Sequence, residues 1–257
     1  VLGASGIEIR DLATDKTRLL TIPGKDPAWS PDGQYIVYVR DWQFQSMQDL
    51  PLPGERARQS WIQEEIWVTR ADGTGSPRFL AKGGWPNWSA DSKRIYYHSR
   101  LDKRVYSIAI DPAYPKPQEV IACESQFPVI SPDETRIAFL ERKTGVLKVV
   151  NLSDGSVTAS WSRQERSRLT FLCWSPDGKR LAMSGFWQGG LWIFDLETQN
   201  ATRVVDGSFA WCHWSTPDMN HMAIERVYGN LHHEIWIADA VQDGIPMVNR
   251  PSSDVQD

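Results

Sequence analysis

Cysteine is scarce: Cys123, Cys173 and Cys212 are the only three in 257 residues. An odd count leaves at least one thiol outside any disulfide. No CxxC pair is present, so the usual zinc spacings are excluded. Disulfide scaffolds belong to much smaller domains. Long apolar runs are missing too: no stretch approaches the roughly 18 to 20 residues of a membrane-spanning helix. No transmembrane segment is therefore expected. Basic charge is not in excess, with 28 Lys+Arg against 32 Asp+Glu and a formal net charge of −4. That balance argues against nucleic acid as a partner, which requires a basic face. With 41% hydrophobic and 23% charged residues, the chain is neither disordered nor a coiled coil. Its length is ample for a large core.

Catalytic and ligating signatures are also lacking. There is no G-x-S-x-G elbow and no phosphate loop of the G-x-x-x-x-G-K type. The five histidines, His98, His213, His221, His232 and His233, form neither HxH nor HExxH. A lone strand histidine is more often hydrogen-bonded than metal-bound, so no metal and no cofactor are expected. Cys173 and Cys212 read as small buried hydrophobes. These absences weigh against a self-contained hydrolase. They leave room for a lyase that works through scattered polar residues.

Tryptophan is plentiful, with 13 copies, and it marks an internal repeat. Five segments share one pattern: Pro27-Ala-Trp-Ser-Pro-Asp-Gly33, Pro86-Asn-Trp-Ser-Ala-Asp-Ser92, Pro128-Val-Ile-Ser-Pro-Asp-Glu134, Leu172-Cys-Trp-Ser-Pro-Asp-Gly178 and Cys212-His-Trp-Ser-Thr-Pro-Asp218. The shared serine falls at 30, 89, 131, 175 and 215, in steps of 59, 42, 44 and 40. Three of these steps match the roughly 40 to 45 residues of a four-stranded propeller blade.

Each motif precedes an apolar run (35–39, 95–98, 137–140, 181–184, 222–224) and then a second one (66–68, 105–108, 147–150, 191–194, 235–237). A weaker strand closes each unit, as at 75–80 and 198–205. Within Ser-Pro-Asp-Gly, proline presets φ for a type I turn, aspartate bonds back to the turn, and glycine accepts positive φ. The motif therefore reverses the chain between first and second strands. Ser92 and Glu134 replace the glycine, so those two turns are expected to be looser or of another type. The tryptophan before the serine is expected to bury its ring between neighbouring sheets.

This pattern, over nearly the whole chain, resembles the TolB-like family of β-propellers, whose repeats carry W-S-P-D-G before an apolar strand. The Gly-His and Trp-Asp signature of true WD repeats is missing. The resemblance implies a WD40-like repeat protein that is periplasmic or extracellular. It also implies a non-catalytic domain that binds partner proteins of the cell envelope.

The fold class expected is all-β: a six-bladed propeller of four-stranded antiparallel blades, one of them incomplete. As a single domain over 1–257 it divides into a half blade at 1–22, a blade at 23–81 with an insertion at 41–64, further blades at 82–122, 123–161, 162–206 and 207–248, and a tail at 249–257. The half blade repeats later strands only, since 6–12 matches 190–196. Val1 and Leu2 read as the end of a second strand. Either the native chain extends before Val1, as part of a longer protein, or the tail fills the gap; truncation or processing is the favoured expectation.

First strands should begin at the rim opposite the motif turns, which is also where second strands pass to third. Seven tryptophans are explained by repeat positions: Trp29, Trp88, Trp174 and Trp214 on first strands, and Trp67, Trp192 and Trp236 on third strands. The other six, Trp42, Trp61, Trp85, Trp161, Trp187 and Trp211, map to that one rim. Trp42 and Trp61, with Phe44, lie in the insertion, and Trp187 lies beside Phe186 in the equivalent connection. Trp85, Phe127, Phe171 and Trp211 form a column three residues before the motif tryptophan or its equivalent. Two readings fit: an aromatic mouth for a protein partner, an extended peptide or a glycan, or rings wedged between blades. Arg40, Arg100, Arg142 and Arg226 end second strands. They suit an anionic group, but Glu141 and Glu225 beside two of them favour ordinary pairing.

Three functions compete. The first is a binding scaffold, as the resemblance implies. The second is a gating propeller of a prolyl oligopeptidase-like enzyme, which needs further sequence. The third is a carbohydrate-binding or glycan-lyase propeller, which suits the aromatic rim.

Overall fold

The computed structural model describes residues 6–11, 14–21, 23–41, 64–111, 116–141, 143–162, 169–185, 189–214, 221–228 and 232–239. Among the described residues every regular element is a β-strand, and every paired strand runs antiparallel to its neighbour in sequence. The chain divides into two compact units, Val1–Cys123 and Glu124–Asp257.

The first unit holds three sheets. Among the described residues β1 (Ile7–Arg10) pairs only with β2 (Thr17–Thr21). β3 (Lys25–Trp29), β4 (Tyr35–Asp41), β5 (Glu64–Arg70) and β6 (Arg78–Lys82) form a four-stranded meander. β7 (Gly84–Trp88), β8 (Arg94–Ser99), β9 (Arg104–Ala109) and β10 (Gln118–Ala122) form the next. Val37, Ile66, Val68 and Leu80 pack against Ile95, Tyr97 and Ile108 between these two meanders.

The second unit repeats the plan. Its first sheet is β11 (Ser125–Ile130), β12 (Arg136–Glu141), β13 (Leu147–Asn151) and β14 (Val157–Trp161). The next is β15 (Phe171–Trp174), β16 (Arg180–Gly185), β17 (Gly190–Asp195) and β18 (Asn200–Val205). The last holds β19 (Phe209–Trp214), β20 (His221–Tyr228) and β21 (His232–Asp239). Leu140, Leu147 and Val149 pack on Leu172, Leu181 and Met183, while Leu191 and Ala182 pack on Cys212, Met222 and Ile224.

Four motif turns show one geometry. Ser30, Ser89, Ser131 and Ser175 are 3%, 1%, 2% and 2% exposed. Each hydroxyl donates to the aspartate two residues on and accepts the N–H five residues on, at 2.9 Å from Tyr35, Arg94, Arg136 and Arg180. Each aspartate in turn accepts an N–H two residues further along. These bonds hold Asp32 and Asp91 below the usual carboxylate pKa, the serine hydroxyl contributing most. The fifth copy, around Ser215, lies outside the described residues.

The expectation of looser turns at Ser92 and Glu134 is wrong. Ser92 (φ 61°) and Glu134 (φ 57°) take the same left-handed conformation as Gly33 (φ 71°) and Gly178 (φ 67°). They close the same bond to the motif serine carbonyl, at 3.1 and 2.9 Å against 2.8 and 2.9 Å. The buried serine and its aspartate fix the turn, and the residue after them is forced into a region that disfavours a Cβ.

The expectation that every motif tryptophan fills a sheet-to-sheet core also needs correcting. Trp174 is 8% exposed, but Trp29 is 54% exposed. The Trp88 indole N–H reaches back to the carbonyl of Ala28 in the preceding first strand, at 2.9 Å. For Trp29 the preceding sheet offers only β1 and β2 among the described residues, so no first strand lies against its ring.

Candidate functional site

The aromatic column falls on irregular backbone. In β3, β7, β11 and β19 the pairing with the next strand slips between Lys25 and Ala28, Gly84 and Asn87, Gln126 and Val129, and Phe209 and Cys212. Such bulges re-aim a side chain and disrupt the ladder locally. Trp85 (φ 52°) and Phe127 (φ 57°) sit in these slips in the left-handed region, as does Asp26 (φ 49°) at the equivalent place in β3. Aromatic residues seldom adopt that region, and strain of this kind persists only where the surroundings impose it. Among the described first strands only β15 runs regularly here, with Phe171 opposite Ser184.

In the first unit the column contributes Trp85, buried at 8% exposure. Its ring lies 5.7 Å from that of His98, and the Arg100 guanidinium sits 3.8 Å from its centroid. Glu64, 5% exposed, accepts from Lys25 Nζ at 2.9 Å and faces Arg100 Nε at 3.4 Å. Its carboxylate lies on the backbone of Gly84, where a Cβ would come within 2.7 Å of Oε2. His98 is buried and its Nε2 lies 3.1 Å from the Cys123 carbonyl. Desolvation holds its imidazole below the ordinary pKa.

Arg40 is occupied nearby in its own way. Its guanidinium lies 4.1 Å from the Trp67 ring centroid, and Nη2 donates to Thr21 Oγ1 at 3.1 Å. Arg100 is likewise stacked and faces an acid. Stacking thus engages both guanidinium groups, with a hydroxyl beside Arg40 and a carboxylate beside Arg100.

In the second unit Phe127, Phe171 and Trp211 form one ring cluster. The centroid separations are 4.8 Å for Phe127 to Phe171, 4.4 Å for Phe171 to Trp211 and 5.9 Å for Phe127 to Trp211. Phe171 is buried, while Phe127 and Trp211 keep part of their surface in solvent. Trp161 is set apart from them at the end of β14, with its ring 5.5 Å from that of Trp192. Arg226 stands opposite Phe209 in the β19–β20 ladder. Glu141 accepts from Lys148 Nζ at 2.8 Å and from Thr144 Oγ1, and these bonds hold its carboxyl below the usual range.

Trp42, Phe44, Trp61, Arg142, Phe186 and Trp187 lie outside the described residues. The sequence reading missed Glu64 and Lys25, which no motif marks, although Glu64 closes the insertion. It also missed the bulges. The one signal for them was proline at 27, 86 and 128, since proline inside a strand pattern marks an edge or a bulge.

Comparison with solved structures places the fold. A protein from Agrobacterium tumefaciens described as TolB matches 94% of this chain and 87% of its own, with 15% identity and a TM-score of 0.64. TolB from Acinetobacter baumannii matches 96% of this chain at 17% identity and a TM-score of 0.59; the chain spans 65% of that protein's length. A chain of the mitotic checkpoint complex matches 95% of this chain at 12% identity, with a TM-score of 0.61. No family model matches the sequence, and no curated protein matches it. At these identities the likeness carries the fold: the chain is an all-β protein of the β-propeller type, with TolB-like neighbours.

Proposed function

We propose that this chain is a non-catalytic binding propeller and that it recognises an extended, apolar segment of a partner protein through the aromatic starts of its first strands. The observation that carries this reading is the Phe127, Phe171 and Trp211 cluster, in which two of the three residues are only partly buried. A cluster needed only for packing would be buried throughout. A half-covered one offers a partner flat, rigid surface at little entropic cost. Bulges at Phe127 and Trp211 aim these side chains at the expense of ladder regularity. Two of the fold neighbours, TolB and a chain of a named protein complex, are consistent with a scaffold role.

Display selection with a random linear peptide library on the immobilised protein tests the proposal. The expected result is enrichment of peptides rich in apolar and aromatic residues. Trp211→Ala and Phe127→Ala should each weaken the selected peptides by at least about 2 kcal/mol, or roughly thirtyfold. Equal binding by the variants would refute the site. A failure to enrich peptides, with hits on a glycan array instead, would favour the carbohydrate-binding alternative.

A further inference from the structure

We propose that Cys173 and Cys212 form a redox pair that a peroxide converts into a disulfide, stapling β15 to β19 across adjacent sheets. The inference goes beyond the binding reading and does not rest on it. Both are free thiols, and their sulfurs lie 3.1 Å apart. A bonded pair needs about 2.05 Å, so closure requires an approach of about 1 Å. The two strands belong to different sheets. They can therefore close that gap without breaking a shared backbone ladder.

The repeat makes the placement specific. At the residue before the motif tryptophan, the five first strands carry Ala28, Asn87, Val129, Cys173 and His213; one position earlier they carry Pro27, Pro86, Pro128, Leu172 and Cys212. Sulfur occurs once at each position, and in neighbouring strands that bring the two thiols into contact. Packing alone asks only for a small apolar side chain there. Cys212 is 2% exposed, among Ala182, Leu191, Phe209, Met222 and Ile224. Cys173 is the less buried residue of the two, so the first oxidation is assigned to its sulfur.

The chemistry balances with hydrogen peroxide as the oxidant. The Cys173 sulfur attacks one peroxide oxygen; an S–O bond forms, the O–O bond breaks, and the departing hydroxide takes the thiol proton as water. The Cys212 sulfur then attacks the Cys173 sulfenic sulfur. An S–S bond forms, the S–O bond breaks, and a second water leaves with the Cys212 proton. Two thiols lose two electrons and two protons, and one peroxide becomes two waters. Burial, with the Cys212 contact second, holds the Cys173 thiol well above its ordinary pKa. The first step should therefore quicken as pH rises, because the thiolate is the nucleophile.

The test treats the folded wild-type chain with hydrogen peroxide, alkylates the remaining thiols, and maps the peptides without reduction. The expected result is a Cys173–Cys212 cross-linked peptide, alkylation at Cys123 alone, and full recovery of three thiols with dithiothreitol. The oxidised chain should melt several degrees above the reduced one. Cys123→Ser should give the same cross-link, and Cys212→Ser should leave a Cys173 sulfenic acid that dimedone traps. Alkylation of all three thiols after peroxide, a bridge that uses Cys123, or sulfinic acid at Cys173 in the wild type would overturn the proposal. Should Cys212→Ser fail to fold, the wild-type map alone decides.

Discussion

The indole N–H of Trp174 donates to the carbonyl of Val129 at 3.1 Å, 45 residues earlier, and the first unit has the same kind of bond from Trp88 to Ala28. Both acceptors stand one residue before the motif position of the preceding first strand. The motif tryptophan thus packs its ring on its neighbour and ties the two first strands by a single bond. Trp214 departs from the pattern: its buried Nε1 has no hydrogen-bond partner among the described residues.

Stability should follow this geometry and not the motif. Trp174→Ala removes a ring only 8% exposed and should cost about 3 to 5 kcal/mol. Trp29→Ala, at 54% exposure, should cost about 1 kcal/mol or less. Urea denaturation of the two variants checks this, and equal losses would contradict the packing described.

Glu134→Gly should stabilise the chain. Glu134 holds φ 57° in a turn whose bonds match those of Gly178. Releasing a left-handed side chain gains roughly 1 to 2 kcal/mol, offset by the roughly 0.4 to 1 kcal/mol of extra freedom that glycine has when unfolded. A net gain of about 0.5 to 1 kcal/mol in the same assay is expected. A loss would mean that the glutamate side chain matters more than its backbone strain.

Glu64 and Lys25 should respond unequally to truncation. Glu64→Ala removes a carboxylate that is 6% exposed and faces both Lys25 and Arg100, and should cost about 3 kcal/mol. Lys25→Ala removes an ammonium that is 34% exposed and should cost about 1 kcal/mol or less. Comparable losses in thermal melts would argue that the ion pair acts as one exposed unit.

Acid should weaken the fold before any carboxylate titrates. Burial lowers the His98 pKa from 6.5, reinforced by Arg100 and opposed by its bond to the Cys123 carbonyl and by Asp102 and Glu64. The unfolded chain therefore binds more protons than the folded one as pH falls through the unfolded value near 6.5, and stability drops with it. His98→Gln should flatten the fall in urea midpoint between about pH 7 and 5. An unchanged slope would remove His98 from the cause. The motif aspartates act lower: their depressed pKa values contribute stability that is present above about 4 and lost below.

Much of the candidate site was legible in part. The column of Trp85, Phe127, Phe171 and Trp211 follows from counting back three residues from each motif. Its division into a buried Trp85 stacked by Arg100 and a cluster in which Phe171 is buried while Phe127 and Trp211 are partly exposed does not. That division depends on which residue of the next strand faces each ring, and a bulge shifts the register by one without any change in composition.

What the sequence determined by itself was the repeated sheet: strand runs, turns and their order, from β1 to β21. These rest on contacts within about five residues, such as a serine hydroxyl capping the N–H of Arg180, and on the two-residue alternation of strands. Only the tertiary structure decided which motif tryptophan is covered, that Glu134 shares the conformation of a glycine, that Glu64 lies against Gly84, and that Cys173 meets Cys212. Apart from the Glu134 turn, which Ser131 and Asp133 close locally, each of these needs a partner from another strand or sheet, brought there by packing. Local chemistry repeats faithfully along the chain, whereas burial at any one copy depends on what the neighbouring sheet supplies.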